Sequence, residues 1–313
     1  LSIFNTPEDA KFVALEVGMD KKGEIDKLTK LIKPNLGLIT NISYAHIKNF
    51  KNLNQIAKAK SEIIDNIISG GTIVINRDDK YYSYFFKKAK NQKLKIITFS
   101  KKNKNANVVF LNKKRIKNKY LINLKINHKF KSFLISKDLI NYKQNILASL
   151  SIIINYFEVE KLNKNLFLNF NIPESRGSLI NYKKGLKKLT IVDESYNSNP
   201  LSFKFALEKF DETYKEKSKK FLLIGNMLEL GKHSKKLHIK VAKYINKAKV
   251  NKVYTYGKLT KHTFNKLKTQ IRGKMLNNSM EILNFINKDL PNKSFLMVKG
   301  SNSTGLNKII QNL

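Results

Sequence analysis

Short apolar runs that alternate with longer amphipathic segments constrain this chain more than any other feature. A run of about 4–8 apolar residues followed by a helix-period stretch builds β/α units around a mainly parallel sheet. In the first half, "FVALEVG" (12–18), "LGLIT" (36–40), "GTIVIN" (71–76) and "LKIITFS" (94–100) read as strands, with helical stretches such as "NQIAKAKSEIIDNII" between them. From Ala106 to Ser136 apolar and polar residues alternate between Lys and Asn turns, which predicts a small antiparallel meander, and a long helix is expected from about Asp138 to Phe157. A second series begins near Gly177, with strands at "LTIVDES", "FLLIGN", "NKVYTYG" and "SFLMVKG" and helices near 200–213, 234–248, 258–268, 279–288 and 303–312. The Pro- and Gly-bearing "NIPESRGS" makes a natural linker. The reading is therefore α/β with two domains, 1–176 and 177–313.

Composition narrows the function classes. The 313 residues are 42% hydrophobic, too apolar for a disordered chain, and contain no cysteine, which excludes disulfides, thiolate nucleophiles and Cys-type zinc sites. The longest apolar stretch, around Ile146 to Phe157, is broken by Ser and Asn and is too short to span a bilayer, and no signal peptide is recognisable, so a cytoplasmic protein without membrane insertion is expected. The formal charge of +38 invites a nucleic-acid reading, yet only four of the 61 basic residues are arginine (Arg77, Arg115, Arg176, Arg272). The lysines are spread over every segment beside abundant Asn and Ile, residues that share A/T-rich codons, so no nucleic-acid partner is expected. The chain begins with Leu at the edge of a motif, which reads as a missing N-terminus.

Several residues could carry chemistry. Glu16 ends the first expected strand, where open α/β sheets bind ligands, although a carboxylate there also reads as a helix cap. His46 lies just past the next strand; a lone His is structural or catalytic. Lys60 sits on a helix with Ala57 and Ile63 at core spacing, and no sequence rule singles it out from the other lysines. "IVDESYNSNP" (191–200) places two acids, Tyr and two Asn at a strand end, either as a ligand loop or as ordinary turn formers. "LLIGNMLELGKHS" repeats the arrangement one strand later, with Glu229 between Gly225 and Gly231. "VKGSNSTGL" has the outline of a phosphate loop, but Leu306 and Asn307 stand where Lys and Ser or Thr are needed, and no GxxxxGK[ST] segment occurs anywhere.

Six segments in order, "EVGMDKKGEI", "TNISYAHIKNF", "AKAKSEI", "DESYNSNP", "IGNMLELGKHSKKLH" and "VKGSNSTG", resemble the motifs of the Mur ligase family. The YNxNP and GxMLELG forms are similar to those of the branch that adds a dipeptide. The resemblance implies a partial central ATPase domain followed by a C-terminal Rossmann-like domain. It implies an ATP-dependent amide-bond ligase that uses Mg2+, joins D-alanyl-D-alanine to UDP-N-acetylmuramoyl-tripeptide through an acyl phosphate, and acts as a monomer in peptidoglycan precursor synthesis. By the same resemblance Glu16, His46 and Lys60, the last as a CO2-derived lysine carbamate, match magnesium ligands. Asn145 matches an adenine contact, Arg176 a phosphate contact, and Asp193 and Glu194 an acidic pair near the ribose. Tyr196, Asn197 and Asn199 match a closing loop, and Lys299 and Ser301 a second loop of the last domain. Asn141, Asn226 and Asn302 stand where the family usually has His, Asp and Arg. Another ligase of the superfamily, such as a folylpolyglutamate synthase, and a basic nucleic-acid binder on an inactive ligase fold are the alternatives.

Overall fold

The computed structural model describes residues 5–214 and 218–313. The chain divides into two compact units. One comprises Leu1–Ile42, Asn49–Leu134 and Tyr142–Leu166; the other comprises Ser43–Lys48, Ile135–Asn141 and Phe167–Leu313.

The first unit runs α1 (Glu24–Ile32), β1 (Leu36–Ile39), α2 (Leu53–Lys60), α3 (Glu62–Asp65), β2 (Thr72–Asn76), α4 (Tyr82–Asn91), β3 (Lys95–Ser100), β4 (Val108–Ile116), β5 (Lys119–Ile126), β6 (Lys129–Ser136, whose last two residues group with the second unit) and α5 (Lys143–Ile153). Its sheet has the order β1-β2-β3-β4-β5-β6, parallel from β1 to β4 and antiparallel between β4 and β5. β2 is buried at all five positions, as a central parallel strand covered on both faces must be. Ile39, Ile73 and Ile75 pack with Ala57, Ile64, Phe85 and Ala89 from the helices. The expected meander is present as β4 to β6. The expected helix from 138 starts as a 3-10 turn over Asp138–Tyr142 before α5 begins.

The expected strand at 12–18 does not form. Residues 12–19 have no regular secondary structure, Phe12 and Val13 are 60% and 53% exposed, and β1 is the edge of the sheet among the described residues. An apolar run becomes a buried strand only when ladder partners satisfy its backbone, and none is paired here. Phe12 instead packs against Tyr156 and Phe157, with ring centroids 5.1 and 5.9 Å away.

The second unit runs β7 (Ser178–Lys184), β8 (Lys187–Asp193), α6 (Pro200–Thr213), β9 (Lys220–Gly225), α7 (Ser234–Ile245), β10 (Lys252–Tyr256), α8 (Lys261–Phe264), β11 (Arg272–Leu276), α9 (Ser279–Asn284), β12 (Ser294–Lys299) and α10 (Leu306–Gln311). The sheet order is β11-β10-β9-β12-β8-β7, parallel except for the β7–β8 hairpin. All four expected strands are found. β7 and β11 have no counterpart among the strands expected from the sequence, because both are edge strands with a single fully buried residue each and so lack a continuous apolar run.

Candidate functional site

β8, β12 and β9 lie side by side and end at Asp193, Lys299 and Gly225, so the loops after them leave one edge of the sheet together. The chain passes from β8 to β9 across the position of β12, which makes this a topological switch point, where open α/β sheets hold ligands.

Lys299 organises the first of these loops. It is 2% exposed, and its Nζ donates to the backbone oxygens of Asn197 (2.9 Å) and Glu194 (3.3 Å) while lying 3.7 Å from Glu194 Oε2. Burial holds its ammonium below the usual lysine range, and the Glu194 carboxylate opposes that shift. Lys299 is thus a buried strut under the loop. Among the described residues Glu194 Oε1 is buried with no hydrogen-bond partner, while burial lowers the pKa of Lys209 against the opposing charges of Glu194 and Asp138.

Asp193 is 1% exposed, and both carboxylate oxygens are used internally: Ser175 Oγ donates to one at 2.8 Å, and the Ser195 N–H (3.0 Å) and hydroxyl donate to the other. It anchors the linker to the end of β8. Asn199 is the N-cap of α6: its Oδ1 accepts from the N–H groups of Leu201 and Ser202, both at 3.0 Å, with Pro200 at the first helical position. That is the turn-former reading of Asn199. Tyr196 is 46% exposed and the Arg176 guanidinium lies 4.2 Å from its ring centroid, so the linker cation and the loop aromatic come together on the surface. Asn197 is exposed beside them.

The other two loops are tied to each other. Ser301 donates its N–H to the Asn226 carbonyl (3.0 Å) and its Oγ accepts from Leu228 N–H (2.9 Å). A Cβ on Gly225 would lie 2.5 Å from Leu306 Cδ1 and 3.3 Å from Gly300 Cα, so glycine lets the ends of β9 and β12 approach. Asn226 Oδ1 accepts from Leu259 N–H at 3.0 Å, an acceptor role that an Asp would also fill. Asn302 Oδ1 accepts from Asn307 at 2.7 Å.

His238, 1% exposed, was noted in the sequence only as part of a motif. Its Nε2 accepts from Met227 N–H at 3.2 Å and its Nδ1 faces the Ser234 carbonyl at 2.9 Å, an arrangement that suits the neutral ring. Burial depresses its pKa, so the unfolded chain binds the proton more readily. Stability contributed by neutral His238 is full above the ordinary pKa of about 6.5 and falls as pH drops below it, by at most about 1.4 kcal/mol per pH unit. Urea unfolding at pH 7.5 and 5.5 checks this: the wild type is expected to lose more stability on acidification than His238→Gln, and equal losses would exclude the role.

In the first unit Lys60 is the last residue of α2. Its Nζ donates to the Asn41 carbonyl at 3.2 Å, and burial lowers its pKa against the opposing charge of Asp79. Glu16 is exposed on the irregular segment that replaces the expected strand. Among the described residues it joins no group of three potential metal-ligating carboxylates and imidazoles. Asn145 is the third residue of α5 and exposed, and Asn141 is half-buried in the preceding turn. His46, in the segment 43–48 that packs with the second unit, has its Nδ1 3.0 Å from Glu229 Oε2. Both residues adopt left-handed backbone, φ 56° and 60°. No spacing signal in the sequence links Glu229 to His46.

Two family models match the chain in succession. The Mur ligase middle domain matches residues 1–153, and the Mur ligase glutamate ligase domain matches residues 179–302. The UDP-N-acetylmuramoyl-tripeptide--D-alanyl-D-alanine ligase of Rickettsia prowazekii is 29% identical over 311 residues, covering 99% of this chain and 68% of that protein. The ligase of the same name from Buchnera aphidicola subsp. Baizongia pistaciae is 30% identical over 318 residues, covering 100% of this chain and 66% of that protein. Among solved structures, MurF from Acinetobacter baumannii superposes with a TM-score of 0.79 at 20% identity, over 95% of this chain and 63% of that one. The Thermotoga maritima MurF ligase in complex with ADP gives 0.76 at 19% identity, over 93% and 64%. The chain spans about two thirds of the length of these relatives.

Proposed function

The chain belongs to the Mur ligase family, and on that premise we propose that its activity is the ATP-dependent joining of D-alanyl-D-alanine to UDP-N-acetylmuramoyl-tripeptide in the cytoplasm. The observation that carries the reading is the convergence of the "DESYNSNP", "GNMLELG" and "KGSNSTG" loops at one sheet edge, cross-tied by Lys299 and Ser301. In the proposed reaction the terminal carboxylate of the tripeptide takes the γ-phosphoryl group of ATP, giving an acyl phosphate and ADP. The dipeptide amine then adds to the acyl carbon, and the tetrahedral intermediate expels phosphate to leave the amide.

We assign the exposed Arg176–Tyr196 pair and Asn197 to substrate and phosphate contacts, and Asn145 to the adenine. Asp193, Asn199, Lys299 and Ser301 act by holding the loops in place. Glu16, His46 and a carbamate on Lys60 are the groups assigned to magnesium, which when bound offsets charge on the transferring phosphoryl group. Two features of Lys60 and His46 fit that assignment, whereas Glu16 rests on the resemblance alone. The depressed pKa of Lys60 enlarges the share of neutral amine that can add CO2, and His46 can donate its Nδ1 proton to Glu229, leaving Nε2 as a ligand atom.

No GxxxxGK[ST] segment lies within the 313 residues, so these residues alone are expected to release no phosphate from ATP. A chimera with the first third of the Rickettsia prowazekii ligase fused ahead of residue 1 is expected to release phosphate only when both tripeptide precursor and D-alanyl-D-alanine are present. Phosphate release that follows single amino acids and ignores the dipeptide would overturn the substrate assignment.

A further inference from the structure

Between Asp79 and Asp138 the chain carries no acidic residue, yet it holds 18 of the 61 lysines and arginines. Within this segment, residues 111–119 are exposed without interruption, the distal half of β4 and its turn into β5. Among the described residues β3 pairs with β4 only at Val108 and Val109, so beyond Val109 the outer edge of β4 has no ladder partner there and both of its faces are uncovered. At about 3.3 Å per residue this edge ribbon runs for roughly 20 Å. It carries Lys113, Lys114, Arg115, Lys117 and Lys119, together with the exposed aliphatic side chains of Leu111 (38%) and Ile116 (41%).

We propose that the β4 edge ribbon is a docking surface for an anionic lipid bilayer, with its cations against the headgroups and Leu111 and Ile116 at the headgroup–acyl boundary. Charge complementarity selects a polyanionic partner, and the side chains select lipid over nucleic acid. Nucleic-acid recognition draws on Arg forks and open aromatic faces. Here four of the five cations are lysine, and Lys113 Nζ already lies 5.1 Å over the ring of Tyr120. Exposed aliphatic residues gain nothing against a phosphate backbone, but they bury apolar area at a membrane interface, and basic side chains near such a surface are attracted within a Debye length. Docking of this kind needs no spanning segment, and no helix among the described residues is long and apolar enough to be one. The proposal is independent of the ligase reading.

The test is flotation of residues 1–313 with vesicles of equal parts phosphatidylglycerol and phosphatidylcholine at physiological salt. A ribbon variant (K113Q, K114Q, R115Q, K117Q, K119Q) is compared with a charge-matched control on exposed second-unit lysines (K183Q, K184Q, K188Q, K235Q, K236Q). All ten positions are exposed, and thermal melts verify that both variants fold. The ribbon variant is expected to lose at least about tenfold in vesicle partitioning, while the control loses less than about twofold. Leu111→Ser with Ile116→Ser is expected to weaken vesicle binding while leaving binding to a DNA duplex unchanged. Equal losses in the two charge variants would reduce the effect to whole-molecule charge and overturn the proposal. A ribbon variant that loses duplex binding but keeps vesicle binding would overturn it in favour of nucleic acid. One that self-associates with unchanged vesicle binding would leave the lysines as protection of a free sheet edge, and would overturn it too.

Discussion

Replacing Lys299 by methionine is expected to destabilise the second unit by about 3–5 kcal/mol, the usual result of removing one partner from a buried ion pair. The size follows from what the ammonium leaves behind. Glu194 is 9% exposed and would keep a buried carboxylate with no counter-charge at 3.7 Å, and the backbone oxygens of Glu194 and Asn197 would lose their donor. Methionine fills the same volume, so packing changes little. Urea unfolding measures the loss, and hydrogen exchange at residues 194–197 is expected to rise in parallel. Glu194→Gln in the Lys299→Met background is expected to recover part of the stability by removing the stranded charge. A loss below about 1 kcal/mol, in the range of an exposed pair, would show that water reaches this site and that Lys299 is not a strut.

Lys60→Met in the active chimera is expected to lower phosphate release by about 100–1000-fold, the range for removing one preorganised electrostatic group from a reaction centre. Burial lowers the Lys60 ammonium pKa, so at neutral pH more of it is a free amine, and addition of CO2 with loss of a proton gives a carbamate anion whose share rises with pH. Labelled bicarbonate is expected to give a carbamate carbonyl signal by 13C NMR in the 313-residue chain, which Lys60→Met lacks. Removing bicarbonate is expected to slow the wild-type chimera and leave the residual rate of the variant unchanged. Turnover within about threefold of wild type would remove Lys60 from the reaction centre.

Much of the architecture was legible in the sequence because buried parallel strands carry their signal locally. "GTIVIN" and "FLLIGN" are apolar on both faces, and β2 and β9 are buried along their whole lengths. The run at 12–18 carries the same local signal without becoming a strand, since pairing is a non-local condition. β7 and β11 fail in the opposite direction: they pair, but as edges, and their composition does not mark them.

The site loops divide along the same line. Spacing placed Asp193, Glu194, Tyr196, Asn197, Lys299 and Ser301 at strand ends, but it could not separate residues that face solvent from those that hold the loops. Asp193 and Lys299 have ionisable side chains, yet both are almost wholly buried and engaged internally, while Tyr196 and Asn197 are the exposed members. The Asn199 cap was readable from Asn-Pro before a helical stretch, whereas the Glu229–His46 pair had no sequence signal, because more than 180 residues separate the two. The sequence by itself determined the β/α order, the loops and the family motifs, since periodicity and turn chemistry act over a few neighbouring residues. Only the tertiary structure decided which charges are struts and which remain available, because burial and hydrogen-bond partners are set by what other segments bring to the same place.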